Sequence, residues 1–109
     1  MKADIGFNEA IILNILNTLG ESTIPDILDH IKKSKLDSPG RVSVYVALRR
    51  LSKRNMIKER QSLIINDYKR KRVIGFYLIK SLGKKSLDGY LDDVRSLLLL
   101  SQSGRVKKI

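Results

Sequence analysis

Apolar positions recur at spacings of three and four through most of this chain, and the pattern breaks only in its middle. Phe7, Ile11, Ile15, Leu16 and Leu19, with Ile12 and Leu13 widening the stripe, predict a helix over 7–19 that is buried on more than one side. Asp4 or Asn8 is placed to cap its start, and Gly20 to follow its end. Thr23 and Asp26 form a capping-box pattern with Pro25 in the first turn, so a second helix runs to about Lys33 over a stripe of Ile24, Ile27, Leu28 and Ile31. Residues 34–39 read as a connection, with Ser38–Pro39 or Gly40 opening the next element. Arg41 to Arg54, RVSVYVALRRLSKR, then predicts a third helix with two unlike faces. At about 100° per residue, Val44, Ala47, Leu48 and Leu51 fall on one narrow stripe, while Val42, Ser43, Tyr45, Val46, Arg49, Arg50 and Lys53 occupy the flanks and the opposite side. Asn55 follows, a residue that tolerates the left-handed conformation in which helices often end.

Two extended segments come next, Met56–Ile65 and Val73–Ile79, rich in β-branched and aromatic residues. Between them lies NDYKRKR, so the pair predicts a hairpin with four cations at its tip: Lys69, Arg70, Lys71 and Arg72. Gly75 marks a candidate bulge in the second strand. From Lys80 to Ser101 the helical period returns with Leu87, Tyr90, Leu91, Val94, Leu97 and Leu98, interrupted by Gly89. A helix-turn-helix followed directly by a hairpin is a winged helix. The fold class expected is therefore α+β and mainly helical. A winged helix-turn-helix spans 1–80, a C-terminal dimerisation helix 81–101 and a frayed basic tail 102–109. A domain of this size has little core left for so long a stripe, so the last helix is predicted to pack against its counterpart in a second chain. Folding back onto the first helix is the alternative, and the two are compatible on different faces.

Charge changes the picture from scaffold to function. The 109 residues carry a net charge of +11. Arg41 to Lys85 holds fourteen Lys and Arg against only Glu59 and Asp67, whereas the first forty residues have no basic excess. The middle of the chain is thus the expected polyanion face. Arg41, Arg49, Arg50, Lys53 and the four hairpin cations are candidates for phosphate contact. Ser43, Tyr45, Val46 and Arg49 are candidates for base edges and thymine methyls in a major groove. For the helix alone, a solvated basic face on an ordinary core helix explains the pattern equally well, and a solvated turn explains the hairpin tip; their adjacency favours double-stranded DNA.

Several function classes are disfavoured. There is no Cys, which excludes disulfides and thiolate metal sites. The single His30 has no second metal-binding residue beside it and the acids are scattered, so no metal, cofactor or catalytic centre is expected. Apolar runs such as Leu97–Leu100 are far too short to span a bilayer, and Asp88, Asp92 and Asp93 oppose surface binding by the last helix. No secretory pattern opens the chain, so the expected location is cytoplasmic. RNA binding lacks an aromatic stacking surface. An architectural or partition-type protein that coats DNA with little sequence preference fits the basic excess as well as a sequence-specific regulator does.

The order of two motifs resembles one family. From Ser43 the chain reads SVYVALRRLSKRNMI, and from Phe76 it reads FYLIKSLGKKSL. Ser43, Val44, Tyr45, Leu48, Leu51 and Ile57, then Phe76, Tyr77, Ile79, Gly83 and Leu87, are similar to the pattern of PadR-type winged-helix transcriptional regulators over roughly residues 7–100. The resemblance implies a homodimer on an operator, most often a repressor. Val42 stands where the family usually has Gly, Asn55 where it has Gly, and Lys80 where Thr is common. Relatives bind aromatic compounds between the last helices of the dimer. This chain has no Trp to stack there, so no effector site is carried over.

Overall fold

The computed structural model describes residues 5–35, 39–65 and 67–107, with side chains described as far as Leu99. Element order is α1 (Phe7–Leu19), α2 (Ile24–Lys33), α3 (Arg41–Lys53), β1 (Ile57–Ile65), β2 (Lys71–Ile79) and α4 (Ser81–Lys107). The order expected from periodicity is the order observed.

Local chemistry accounts for most boundaries. Thr23 and Asp26 close the capping box in both directions: the Asp26 amide donates to Thr23 Oγ1 at 3.2 Å and the Thr23 amide to Asp26 Oδ2 at 3.0 Å. Gly20 ends α1 at φ 80°, and its amide donates to the Leu16 carbonyl. Asn55 takes φ 62° after α3, as a residue whose short polar side chain tolerates that region. The start of α1 differs from expectation. Gly6 is its N-cap and no side chain caps it, so Asn8 does not serve there, while Asp4 lies outside the described residues. Gly40 is the N-cap of α3, so that helix opens after Gly40; Ser38 also lies outside the described residues.

One core holds the helices together. Ile12, Leu13, Ile15 and Leu16 of α1 meet Ile27 and Ile31 of α2, Val44, Ala47, Leu48 and Leu51 of α3, and Met56, Ile57, Ile79 and Leu87. α1 is the central element, packed against α2, α3, β2 and α4. Phe7 and Leu19, which share its apolar stripe, are left exposed at either end.

The hairpin corrects the sequence reading in two ways. β1 and β2 pair without interruption from Ile57↔Ile79 to Ile65↔Lys71, so Gly75 sits opposite Gln61 in register and makes no bulge. β2 begins at Lys71, not Val73. Because β1 extends through Ile65, Ile64 pairs with Arg72 and Ile65 with Lys71, drawing two of the four tip cations into the ladder. Only Lys69 and Arg70 remain in the turn, where Lys69 takes φ 60°. The hairpin also has a third partner. Ser22 bridges the outer edge of β2 at Tyr77, with N–H···O distances of 2.9 and 2.7 Å, and so fastens the hairpin to the α1–α2 connection.

α4 also runs further than expected. It continues as helix to Lys107, so the basic tail placed at 102–109 is helical up to that residue. The chain has a radius of gyration of 17.3 Å and a longest dimension of 69 Å. A compact chain of this length would have a radius near 13 Å. The excess is α4, about 40 Å long at 1.5 Å per residue, projecting past the core. No helix among the described residues is long and apolar enough to cross a membrane.

Candidate nucleic-acid interface

α3 buries Val44, Ala47, Leu48 and Leu51, the stripe its sequence defines. Geometry then fixes the rest of the helix. Val42, Val46, Arg49 and Lys53 form the ridge opposite that stripe, and all four are exposed, Val42 at 76%. Arg41, Tyr45 and Ser52 lie on the flank toward the hairpin. Ser43 and Arg50 lie on the flank toward the start of α1, where they share a groove with Phe7 and Asn8.

On the hairpin side, α3 and the sheet enclose two adjoining open grooves. The first is lined by Tyr45, Arg49, Ser52 and Lys53 from the helix and by Glu59 and Tyr77 from the strands. The second carries Arg41 and Tyr45 on one wall and Gln61, Arg72 and Val73 on the other, with Pro25 at the start of α2 beside them. Tyr45, half exposed at 53%, belongs to both grooves and marks the seam between them.

The cations of these grooves are uncommitted. Among the described residues, Arg41, Arg49, Lys53 and Arg72 make no ion pair or hydrogen bond through their side chains. The ion pairs present lie elsewhere: Arg60 with Glu21 at 2.7 Å, Arg54 with Glu9 at 3.7 Å and Lys33 with Asp29 at 3.0 Å. Exposed, unpaired cations on a rigid helix can take phosphate oxygens with no partner to displace.

The sequence candidates therefore separate into groups. Arg41, Tyr45, Arg49, Lys53 and Arg72 come together around the two grooves. Val46 is on the exposed ridge beside them. Ser43 is half-buried and, with Arg50, faces the α1 side. Lys69, Arg70 and Lys71 are exposed toward the far end of the hairpin and line neither groove. Strand alternation puts the Lys71 side chain on the sheet face of Glu59 and Tyr77, toward α3, and the Arg72 side chain on the face of Arg60 and Phe76, so Arg72 borders the second groove from behind. Val42 on the ridge and Ser52, Glu59 and Gln61 in the grooves are not among the sequence candidates. Helix angles place Val42 and Ser52, but Glu59 and Gln61 depend on how the hairpin lies across α3, which periodicity does not carry.

Two tyrosines and a carboxylate sit where helix and hairpin meet. Tyr77 Oη donates to Glu59 Oε1 at 3.4 Å. Partial burial, then the neighbouring Glu59 charge, push the Tyr77 phenol above its ordinary value, so it stays a neutral donor at physiological pH. Behind the hairpin, Arg60 reaches Glu21 with two hydrogen bonds, 3.1 and 2.7 Å, and lies 4.5 Å from the centre of the Phe76 ring.

The predicted assembly residues on α4 also divide. Leu87 is 2% exposed and belongs to the chain's own core, so it offers no surface to a second chain, contrary to the sequence expectation. Tyr90 is half-buried against that core. Leu91 and Val94, with Tyr90 and Phe7, line an apolar groove between α1 and α4, and Leu97, Leu98 and Leu99 beyond it are exposed. His30 is half-buried, and no cluster of three or more metal-ligating side chains occurs among the described residues.

Three helices, a hairpin crossing the third, and a long closing helix define a winged helix. No protein-family model matches the chain, and neither does any curated protein. Solved structures do. A PadR family transcription regulator from Clostridium difficile matches with a TM-score of 0.74 at 18% identity, over 90% of this chain and 97% of that one. A transcriptional regulator from Clostridium thermocellum matches at 0.72 and 21%, over 94% and 96%. Bacillus subtilis PadR, solved in complex with operator DNA, matches at 0.65 and 25%; the aligned part is 76% of this chain but only 46% of that longer one. The fold is a PadR-like winged helix.

Proposed function

We propose that the protein is a sequence-specific regulator of transcription that binds double-stranded DNA as a homodimer, most readily as a repressor. α3 lies in the major groove and the hairpin is the wing on the adjacent backbone. The observation that carries this reading is the shared border of the two grooves: Arg41, Arg49 and Lys53 are gathered, exposed and unpaired around Tyr45. That a protein of the same fold has been solved on operator DNA supports it.

Each part has a physical role. Lys53, Arg50, Arg41 and the wing cations Lys69, Arg70, Lys71 and Arg72 neutralise phosphates and release counterions. Val46 on the ridge offers an aliphatic surface to thymine methyls, and Arg49, Tyr45 and Ser43 offer donors to base edges. The second copy is held through α4. Leu91, Val94, Leu97 and Leu98 form an apolar surface left exposed among the described residues, continuous with the groove over Phe7 and Tyr90. A two-fold dimer then presents two α3 ridges to an inverted repeat with half-site centres about 34 Å apart.

The test is a binding titration of Arg49→Ala. Loss on the preferred site that exceeds loss on scrambled DNA supports base reading; equal loss on both assigns Arg49 to phosphate alone. If about six phosphates are neutralised per half-site, the log–log salt slope per half-site is about −5. A ladder of complexes that lengthens with the DNA and ignores sequence contradicts a specific regulator and supports a coating protein.

A further inference from the structure

We propose that Glu59 is a specificity-determining residue: a fixed negative charge inside the cationic groove between α3 and the wing that penalises misplaced phosphates and so separates the preferred site from random DNA. This rests on the DNA-binding reading above and adds a residue of the opposite sign to it.

Position comes first. Glu59 lies two residues after the buried Ile57, on the same face of β1, and that face looks across at α3. It lines both grooves, the first with Arg49 and Lys53 and the second with Arg41. It is one of two acids between Arg41 and Lys85, and the other, Asp67, is at the wing tip.

Its orientation is held by the sheet. Tyr77, its cross-strand partner, donates to Oε1. Gly75 leaves the space beside that oxygen empty; a Cβ there would stand 3.3 Å from Oε1. The carboxylate is thus placed by a hydroxyl donor and a missing side chain, not by a cation. Among the described residues, Glu59 makes no ion pair, so its charge is not cancelled by any one partner.

Charge of this kind acts unequally on two sorts of DNA. Non-specific binding is phosphate neutralisation with an adjustable backbone path, and it lets a phosphate slide into whichever cationic groove is open. A specific complex fixes the path through contacts to base edges. A carboxylate lining the groove repels every phosphate that strays toward it, and costs least when the fixed path runs along Arg49, Lys53 and Arg41. Affinity is sacrificed on all sequences, and most on the wrong ones.

The experiment is a titration of full-length wild type, Glu59→Gln and Tyr77→Phe against the duplex selected from a random pool and a scrambled duplex, over a range of salt. Gln keeps the size of the side chain and an acceptor for Tyr77, at an exposed strand position. Expected for Glu59→Gln is roughly three- to tenfold tighter binding to scrambled DNA, less gain on the selected site, and a scrambled-DNA salt slope steeper by about one. Tyr77 is a positioning residue: Tyr77→Phe keeps the charge but frees the carboxylate, so the ratio of affinities drops while the salt slope stays at the wild-type value. If wild type discriminates and Glu59→Gln discriminates equally well, the role of Glu59 is refuted and the DNA reading stands. If wild type binds neither duplex, the DNA reading falls and this inference with it; if it binds both alike, DNA binding stands, but the sequence-specific reading falls and this inference with it.

Discussion

Gly83 packs against the backbone carbonyl of Met56 so closely that a Cβ at position 83 would lie 2.3 Å from the oxygen. The same carbonyl accepts the Lys80 amide at 2.9 Å, and the Met56 amide donates to the Leu51 carbonyl at 3.0 Å. The end of α3, the start of β1 and the start of α4 are therefore locked at one point, which sets the direction of the long helix relative to the wing. The Lys80 ammonium also donates to Asn55 Oδ1 here, so two of the three positions at which the sequence departs from the PadR pattern are in contact with each other. Gly83→Ala is expected to cost about 2–3 kcal/mol in denaturant unfolding, because backbone on both sides has to move. Gly89→Ala, with open space around it, is expected to stabilise by roughly 0.5–1 kcal/mol.

The Glu21–Arg60 pair ties the wing to the α1–α2 connection, and it predicts an acid dependence. The hydrogen-bonded Arg60 guanidinium holds the Glu21 carboxyl below its ordinary value. A carboxylate depressed in the fold stabilises it fully above the ordinary carboxylate range and stops doing so as pH falls through the lower folded value. Both groups are solvent-exposed, so the contribution is small. Arg60→Ala is expected to lower the thermal midpoint at pH 7 more than at pH 3; an equal loss at both would show that Arg60 acts only by packing on Phe76.

Arg54 and Lys53 are adjacent yet predicted to behave differently. Glu9 is 8% exposed and its Oε2 has no hydrogen-bond partner, only the Arg54 guanidinium at 3.7 Å. Arg54→Ala leaves that carboxylate without its cation and is expected to cost about 1–3 kcal/mol of stability with little change in DNA affinity. Lys53→Ala is expected to leave the unfolding midpoint near wild type and weaken DNA binding. Unfolding and binding curves on both variants check the split.

On α4, the residue held in the chain's own core and the proposed dimer surface are different positions. Leu87→Ala removes a core side chain and is expected to destabilise by about 2–4 kcal/mol. Leu97→Glu alters an exposed position and is expected to keep the helical signal while shifting sedimentation from dimer toward monomer. A Leu97→Glu protein that stays dimeric would place the assembly surface elsewhere.

How much of this was legible in the chain depends on the range of the interaction. The capping box of Thr23 and Asp26, the turn at Gly20 and the left-handed Asn55 are local chemistry, and each is where the residues put it. The stripe Val44, Ala47, Leu48 and Leu51 fixed which face of α3 is free, and with it the ridge bearing Arg49 and Lys53. Register is not local. Lys71 and Arg72 look like turn residues until Ile64 and Ile65 claim them as partners, and Gly75 looks like a bulge until its role beside Glu59 is seen. An apolar stripe also does not say what covers it: Leu87 is covered by its own chain, Phe7 is not. The helical stretch beyond Ser101 has no apolar period to announce it, and it continues because extending a formed helix costs little per residue. Glu59 was visible only as a rare acid in a basic run.

The most direct test of the account is selection of bound duplexes from a random pool by the full-length protein, with the stoichiometry of the recovered complex measured. The account predicts one inverted repeat, half-site centres about one helical turn apart, occupied by two chains. Recovery of unrelated sequences with no shared motif, or a single chain on an asymmetric site, would contradict it.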